Sequence, residues 1–468
     1  MMLSTLLLLS LPLNFAAVFP TTNTAAAPAA TPRIADTLPR RGALGIPFSP
    51  VTSDLNAANN LKPGEGLLAL KPLPGLTAEK AGIQAGDILV ALNDKPVGPS
   101  TISTALLEFR AGNELTFKVI RDGKPLVLKA ALSEKPRDPG NSNYEVIYSQ
   151  VLSNGNRIRT IITKPRKAGL HPALFFIQGF SPISYDYTLE GAKGDVSTID
   201  GPLLFEFANS DFVTMRVEKP GVGDSEGGPF ADLDYTTELD IYRQALAQLK
   251  SMPGVDPNRV FIFGHSMGGA FGPMIANESP VKGIAVYGTA ARTWYEYLLD
   301  TIRYQGLVAG ATFEDTDASV RQGSRLMALV FLENQSVEQV KQSHPELSAL
   351  ADAYFPGGLF SGKTLEFWRQ LNQTNFASYW AKCNARVLAV RGSSDFVTYD
   401  ADHKLIADIV NRANPGWGKF ATAPNSDHLF HDFASEPESM KNFQHGTFNH
   451  SFTTMLKDWI AEVLATQS

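Results

Sequence analysis

The second part of the chain, residues 144–468, alternates short apolar runs with longer segments of helical periodicity. Several of the runs are continuously apolar, which is typical of parallel strands covered on both faces. Strands that alternate with helices predict an α/β fold with a mostly parallel sheet and helical crossovers. The predicted strands are 144–151, 157–163, 172–178, 212–217, 259–263, 283–286, 386–390 and 419–423, and the predicted helices include 237–250 and 451–464.

The first part of the chain has shorter elements and its own turn signals. Pro74-Gly75 closes one predicted strand, and Asp122-Gly123 is a turn pair typical of a hairpin. These signals predict a small α+β domain at 39–134, followed by a linker at 135–143 that is rich in proline and polar residues. The predicted elements are strands at 66–73, 88–92, 115–120 and 126–131, and helices at 78–83 (capped by Thr77) and 101–110.

The N-terminal segment is apolar and uncharged over its first 32 residues. An apolar run from Leu3 to Phe19, broken by Pro12, leads into small residues, which predicts a signal peptide at 1–29 and an exported protein, periplasmic or secreted. The segment has no Lys or Arg before the apolar run, so an uncleaved membrane anchor remains an alternative. No later stretch is long and apolar enough to predict a membrane span.

Composition narrows the possible functions. A hydrophobic content of 44% with 19% charged residues is that of a protein with a large core. The net charge is −6 and no basic run is present, so we do not expect a nucleic-acid partner. Cys383 is the single cysteine, which excludes an internal disulfide and a cysteine-based zinc cluster.

The sequence GHSMGG, residues 264–269, directly follows a predicted strand. Gly264 and Gly268 stand two residues on either side of Ser266, a spacing that lets a serine hydroxyl project from a sharp strand-to-helix turn. A serine hydroxyl becomes a useful nucleophile when a base and an oxyanion site accompany it. A glycine-rich turn with a capping serine is the structural alternative.

This motif, the order of the elements and RVEKPGVGDSEGG at 216–228 together resemble an α/β-hydrolase over residues 144–468. The resemblance implies an α/β-hydrolase fold with a helical cap insertion at about 290–383, where large aromatic residues would form the cap core and line a pocket. It also implies the triad order nucleophile, acid, base. Ser266 is then the nucleophile, Asp395 the acid after the strand 386–390, and His428 the base after the last strand.

The same resemblance implies an oxyanion hole formed by the backbone N–H groups of Phe180 and Met267, with no metal and no organic cofactor. His431 is a competing base. We expect Asp400 and Asp402 to be surface or helix-start charges, and His265 to point away from the substrate.

The segment GLLALKPLPGLTAEKAGIQAGDILVALNDKPV, residues 66–97, resembles a PDZ domain of the type found in bacterial proteases. That family binds the C-terminal carboxylate of a peptide with loop N–H groups, here those of Leu44, Gly45 and Ile46, and the peptide adds as a strand. Pro47 lies on the pairing strand and has no N–H to donate. A structural spacer that binds no peptide is the alternative.

These features predict an exported serine hydrolase that cleaves an ester, with a small-molecule acyl ester or a peptide as substrate. A peptidase-like amide hydrolase is the alternative within the enzyme class. A non-catalytic scaffold that binds peptides through its PDZ-like domain is the alternative from another class.

Overall fold

The computed structural model describes residues 36–99, 101–186 and 199–466. The predicted signal peptide, residues 1–29, lies outside the described residues. The described chain divides into two compact units. The smaller unit is 37–137, and the larger unit contains residue 36 and residues 138–466.

The smaller unit is built on an antiparallel sheet. Its elements are β1 (Gly42–Ala43), β2 (Phe48–Pro50), α1 (Ser53–Ala58), β3 (Leu67–Ala69), α2 (Thr77–Ala81), β4 (Ile88–Leu92), β5 (Lys95–Pro96), α3 (Ile102–Leu107), β6 (Glu114–Arg121), β7 (Lys124–Ala131) and β8 (Ser133–Glu134). The sheet order is β2-β3-β4-β6-β7, β5 pairs with β4, and β1 pairs with β8. Leu89 and Phe117 are fully buried at its centre.

Two local predictions for this unit can be compared with the structure. The hairpin predicted around Asp122-Gly123 is confirmed, because β6 and β7 pair along their whole length. The capping role predicted for Thr77 is wrong. Its hydroxyl donates to the carbonyl of Ala43 at 2.6 Å and accepts from the N–H of Ser133 at 2.8 Å, so it joins three segments of the unit instead.

The larger unit contains an eight-stranded sheet with helices on both faces. Its strands are β9 (Tyr144–Ser153), β10 (Asn156–Pro165), β11 (His171–Ile177), β12 (Val213–Val217), β13 (Val255–His265), β14 (Gly283–Tyr287), β15 (Arg386–Gly392) and β16 (Gly418–Ala423). The order is β9-β10-β12-β11-β13-β14-β15-β16. The pairs β9/β10 and β10/β12 are antiparallel and the others are parallel, so the predicted mostly parallel sheet is confirmed.

The helices of the larger unit follow the strands as crossovers, except in one long insertion. They are α4 (Gly201–Ala208), α5 (Tyr235–Ser251), α6 (Gly268–Glu278), α7 (Trp294–Val308), α8 (Phe313–Met327), α9 (Val337–Ser343), α10 (Ser348–Tyr354), α11 (Leu365–Gln373), α12 (Phe376–Ala381), α13 (Asp400–Ala413), α14 (Glu436–Lys441) and α15 (Ser451–Ala465). The six helices from α7 to α12 lie between β14 and β15, in the segment expected to form the cap.

The continuous apolar runs of the sequence are explained by burial on both faces of the sheet. In β11, Phe175 packs into the hydrophobic cluster that contains α5, α6 and the cap helices. Its neighbours Leu174 and Phe176 pack into the opposite cluster, with α4 and α15. A strand buried in this way has no polar face, so its sequence does not alternate.

The segment predicted as a flexible linker, 135–143, is ordered over its second half. The backbone N–H of Asp138 donates to the hydroxyl of Tyr148 at 2.9 Å, and Asp138 is buried. The N–H of Asn141 donates to the carbonyl of Tyr144 at 3.1 Å. From Asp138 onward the segment therefore belongs to the larger unit.

Candidate active site

Ser266 occupies a strained turn between β13 and α6. Its φ is 53°, a left-handed value that is uncommon for a residue with a side chain. A Cβ on Gly268 would lie 2.1 Å from the carbonyl oxygen of Ile177, and one on Gly264 would lie 2.6 Å from that of Gly268. The two glycines are needed because strand, turn and helix approach each other too closely for any side chain.

His428, in the loop after β16, connects Ser266 with Asp395. Its Nε2 lies 3.0 Å from the Oγ of Ser266, and its Nδ1 lies 3.0 Å from the Oδ2 of Asp395. The side chains of His428 and Asp395 are buried. Asp395 and His428 are 33 positions apart along the chain, and Ser266 and His428 are 162 apart. The fold brings these three residues, which the sequence analysis selected, into one hydrogen-bonded series.

The carboxylate of Asp395 is held in place by the loop that follows β15. Its Oδ1 accepts from the N–H groups of Val397 at 2.7 Å and Thr398 at 3.0 Å, and its Oδ2 accepts from the Thr398 hydroxyl at 2.6 Å. Burial raises the pKa of Asp395, but the nearby charge and hydrogen bond of His428 and the charge of Arg391 lower it by more. The net pKa is well below the ordinary value. An ionised carboxylate in this position favours a proton on Nδ1, which leaves Nε2 free to accept from Ser266.

The loop that carries His428 is fixed by its own neighbour. The Oδ1 of Asp427 accepts from the N–H groups of Leu429 and His431, both at 2.8 Å. The hydroxyl of Tyr287 donates to the carbonyl of Asp427 at 2.6 Å. Sequence reasoning gave Asp427 no role, because its partners are backbone N–H groups whose positions depend on the folded shape of the loop.

His265 lies behind His428 and contacts its backbone. Its Nε2 is 2.9 Å from the carbonyl oxygen of His428, and its Nδ1 is 3.2 Å from the Oδ1 of Asp200. Burial lowers the pKa of His265, but the Asp200 carboxylate and the His428 carbonyl raise it by more, so the net pKa is raised. The side chain of His265 therefore helps to position the backbone at His428.

The N–H groups of Phe180 and Met267 have no hydrogen-bond partner among the described residues. The loop after β11 that carries Phe180 lies against the turn at Ser266, since a Cβ on Gly179 would be 3.3 Å from the Cβ of Ser266. Met267 is the residue next to Ser266, at the start of α6. Phe180, Ser266 and Met267 line the same pocket.

Lys219 fixes the orientation of the Phe180 N–H from behind. Its buried Nζ donates to the carbonyls of Gly179 at 2.7 Å and Phe180 at 2.8 Å, and it lies 2.8 Å from the Oε1 of Glu238. The carbonyl of Gly179 and the N–H of Phe180 belong to one planar trans peptide, so they point in opposite directions. Holding the carbonyl toward Lys219 turns the N–H away from it.

A second buried lysine, Lys363 of the cap, completes this charged cluster. Its Nζ lies 3.7 Å from the Oε2 of Glu238 and 3.8 Å from the ring centre of Phe367. Burial lowers the pKa of Lys219 against the attraction of Glu238. Burial also lowers the pKa of Lys363 to about 7, with Glu238 opposing the shift and the charge of Lys219 adding to it. One carboxylate neutralises one lysine, so the second lysine is the one that gives up its proton near neutral pH.

Other polar residues singled out in the sequence lie away from Ser266. His431 is buried with its Nδ1 3.8 Å from the Oδ2 of Asp427. Asp400 begins α13, as expected. Asp402 was expected to be a surface or helix-start charge. It lies in the first turn of α13, but it is fully buried and pairs with Arg292 at 2.9 Å.

A model of the alpha/beta hydrolase family matches residues 175–440, more than half of the chain. The chain belongs to the alpha/beta hydrolase family. A PDZ domain model matches residues 42–132 of this hydrolase. The family resemblance and the fold class inferred from the sequence are therefore confirmed.

Among curated proteins, the hydrolase is similar to the periplasmic serine endoprotease DegP of Escherichia coli K12, at 28% identity over 133 residues, or 28% of each chain. It is also similar to the periplasmic pH-dependent serine endoprotease DegQ of the same organism, at 33% identity over 94 residues, 20% of this chain and 21% of that one. The hydrolase thus spans less than a third of the length of these relatives.

Among solved structures, the hydrolase is similar to Est1E from Butyrivibrio proteoclasticus, with 14% identity and a TM-score of 0.41 over 68% of this chain and 99% of that one. It is also similar to an esterase from Pyrobaculum calidifontis, with 14% identity and a TM-score of 0.43 over 69% of this chain and 87% of that one.

The pocket beside Ser266 holds about 820 Å³ of space, including the part open to solvent. Most of its wall is apolar and comes from the segment between β14 and β15 and from the loops around Ser266. Its apolar lining includes Phe180, Met267, Trp294, Tyr297, Phe360 and Val397. Four aromatic residues of the segment expected to form the cap line this pocket: Trp294, Tyr297, Phe360 and Phe376.

In the PDZ domain, the loop between β1 and β2 carries Leu44, Gly45 and Ile46. Their N–H groups have no hydrogen-bond partner among the described residues, while the carbonyl of Leu44 accepts from the N–H of Ala78 in α2 and that of Gly45 from the N–H of Leu73. The carbonyl of Pro47 accepts from the N–H of Leu70 at 3.0 Å. Because the N and C=O of an extended residue point to the same side, the missing N–H of Pro47 faces β3 and not the open edge of β2. The same alternation turns Pro50, the last residue of β2, toward that edge.

No helix in 36–99, 101–186 or 199–466 is both long and apolar enough to cross a bilayer. Within the same residues, no group of three or more His, Cys, Asp or Glu side chains is arranged to hold a metal ion.

Proposed function

We propose that this protein is an exported serine hydrolase that cleaves an ester through a covalent acyl-enzyme. The observation that supports this most strongly is the hydrogen-bonded series from Ser266 through His428 to Asp395, next to an apolar pocket. Ser266 is the nucleophile, His428 the general base and acid, and Asp395 the carboxylate that orients the imidazole.

The reaction has two stages. The Oγ of Ser266 attacks the carbonyl carbon of the ester while the Nε2 of His428 takes the hydroxyl proton. The tetrahedral intermediate collapses, the C–O bond to the alcohol breaks, and His428 returns the proton to the leaving alkoxide. His428 then takes a proton from water, which attacks the acyl carbon; the bond between that carbon and the Oγ of Ser266 breaks, the acid leaves, and His428 returns the proton to Oγ.

The negative charge on the carbonyl oxygen is stabilised by the N–H groups of Phe180 and Met267. Both lack a partner among the described residues, and Met267 also lies at the N-terminus of α6, where the helix dipole favours an anion. Lys219 supports this role because it holds the Gly179–Phe180 peptide with its N–H turned toward the site. Donors that are oriented in advance need no reorganisation during the reaction.

The composition of the pocket favours an ester over a peptide with a free amino group. Among the described residues that line the pocket, one has a charged side chain, Arg292. Its guanidinium is paired with Asp300 at 2.6 Å and with Asp402 at 2.9 Å. The wall therefore offers no free carboxylate for an amino terminus. A peptidase-like activity remains the second candidate, because the chain carries a PDZ domain and resembles proteins named endoproteases.

One kinetic comparison tests the reaction class. p-Nitrophenyl esters of graded chain length and the matching aminoacyl p-nitroanilides are offered to the wild type and to Ser266→Ala. We expect turnover of esters by the wild type and none above background by Ser266→Ala. Faster turnover of the anilides would establish the peptidase, and no turnover of either class would favour the peptide-binding scaffold.

We propose export because the uncharged apolar segment at 1–29 is typical of a signal peptide, and the relatives DegP and DegQ are named periplasmic.

We also propose that Leu44, Gly45 and Ile46 bind a peptide carboxylate. Their free N–H groups support this, and Pro47 does not obstruct strand addition. Fluorescence anisotropy with peptides that end in a free carboxylate or in an amide tests it, with binding expected for the carboxylate alone.

A further inference from the structure

Helix α7 presents one face to the active-site pocket along most of its length. The pocket-lining residues of this helix are Trp294, Tyr297, Leu298, Thr301 and Gln305. Counted from Trp294, the other four residues lie three, four, seven and eleven positions along the helix, which is the spacing of one helical face. Eleven residues of helix span roughly 16 Å, so the pocket is elongated along α7.

The two ends of this face lie at different distances from the reaction. Trp294 packs on Trp368 with ring centres 4.5 Å apart, and Trp368 stacks on Phe180 at 5.8 Å. The Trp294 end is therefore close to the oxyanion site. Gln305 lies three turns further along α7 and is the last residue of this helix that lines the pocket.

Gln305 differs from Thr301, the preceding polar residue on this face of α7, because its side chain has no hydrogen-bond partner among the described residues. Thr301 donates to the carbonyl of Tyr297 at 2.8 Å and accepts from the hydroxyl of Tyr399 at 2.9 Å. Gln305 is only 5% exposed, yet its side-chain amide makes no hydrogen bond to any described residue, and its Oε1 is buried without a partner. The indole N–H of Trp294 is also buried and unpaired. Leaving such groups unsatisfied is unfavourable, and a leucine at 305 would avoid the cost.

The residues that line the pocket indicate which part of an ester it receives. The leaving alcohol must lie next to His428, and His428 is not among the described residues that line the pocket. Phe180 and Met267, which flank the acyl carbonyl in the proposed mechanism, do line it. This lining favours the acyl group as the part of the substrate that enters the pocket.

We propose that the preferred acyl group carries an uncharged hydrogen-bonding group, an amide or a hydroxyl, at its far end, and that the Gln305 amide binds it. This rests on the proposed ester hydrolysis. A primary amide donates and accepts, so it matches an amide or a hydroxyl. A carboxylate would find no free cation here, because Arg292 already pairs with Asp300 and Asp402. The apolar wall between the two ends accommodates the methylene chain.

The test uses pairs of p-nitrophenyl esters of equal chain length, one ending in a methyl group and one in a primary amide or hydroxyl. The measured quantity is the ratio of kcat/KM for the polar and the apolar member of each pair. We expect the wild type to favour the polar member about tenfold at one chain length and less at shorter and longer ones. Since both substrates are measured on one enzyme sample, the fraction of folded protein cancels.

Gln305→Leu should abolish or invert that preference, and Gln305→Met provides a second variant of different shape if the leucine disturbs α7. Gln322→Leu, on the exposed surface of α8, makes the same chemical change outside the pocket and should keep the wild-type ratio. An apolar preference of the wild type at every length, or a ratio unchanged in both Gln305 variants, would overturn the proposal. If the wild type cleaves neither these esters nor p-nitrophenyl acetate, the proposed function itself fails. Turnover of the acetate with no polar preference refutes only this further step.

Discussion

Replacing Lys219 with methionine removes the ammonium group that holds the Gly179–Phe180 peptide while keeping a side chain of similar length. The substitution deletes two charge-assisted hydrogen bonds, of 2.7 and 2.8 Å, to the carbonyls of these residues. Such bonds contribute about 1.5–3 kcal/mol each, enough to determine the orientation of a peptide in a loop. Without them the N–H of Phe180 no longer has a fixed direction.

The expected loss is bounded by the value of one oxyanion donor. Removing such a donor typically lowers turnover by about 10²–10³-fold. In Lys219→Met the Phe180 N–H is still present and is only less well oriented, so we expect kcat to fall about 10- to 100-fold. The oxyanion forms only in the transition state, so KM should change by less than about threefold.

The assay is steady-state hydrolysis of a short p-nitrophenyl ester, combined with the inhibition constant of a trifluoromethyl ketone that mimics the tetrahedral intermediate. The inhibition constant should weaken by about the same factor as kcat. Lys363→Met is the matched control. Lys363 belongs to the same buried cluster, but its Nζ contacts Glu238 and the Leu233 carbonyl and not the carbonyls of Gly179 or Phe180. A kcat within twofold of wild type in Lys219→Met, or a loss confined to KM, would refute the role given to Lys219.

Two further predictions concern buried titratable groups. The pKa of Lys363 is about 7 in the folded protein and about 10.4 in an unfolded chain. Between these pH values the unfolded state binds more protons than the folded state. Lys363 therefore makes the free energy of unfolding rise with pH, by up to about 1.4 kcal/mol per pH unit. Lys363→Met should remove this slope when urea unfolding is measured at pH 7–9.5. An identical slope in both proteins would contradict the assignment. His428→Ala should lower kcat/KM for esters by several orders of magnitude and His431→Ala by far less, and similar losses in the two variants would reopen the choice of base.

The parts of the structure that sequence reasoning reached are those encoded by local patterns. The glycine spacing around Ser266 reflects contacts with the next turn and with β11, and it is visible in six consecutive residues. Asp395 and His428 follow strands of a parallel sheet, whose carboxyl ends meet at one edge, so their positions after those strands were informative.

The parts that sequence reasoning missed depend on contacts between distant segments. Lys219 stands in a recognisable glycine-rich turn, but its partner Gly179 is 40 positions earlier and contacts it through a backbone carbonyl. Asp402 looks like a helix-start charge, and only its pairing with Arg292, 110 positions away, explains its burial. Gln305 has no sequence signal at all, because its significance comes from the absence of a partner in the folded cap.

The central claim, that Ser266 is the nucleophile activated by His428, is tested most directly by covalent labelling with a fluorophosphonate. The folded protein is treated with the probe, digested and analysed by mass spectrometry, with Ser266→Ala treated in parallel. We expect one label per chain, located on Ser266, and no label on Ser266→Ala. A label on another residue, or folded wild-type protein that hydrolyses esters without becoming labelled, would contradict it.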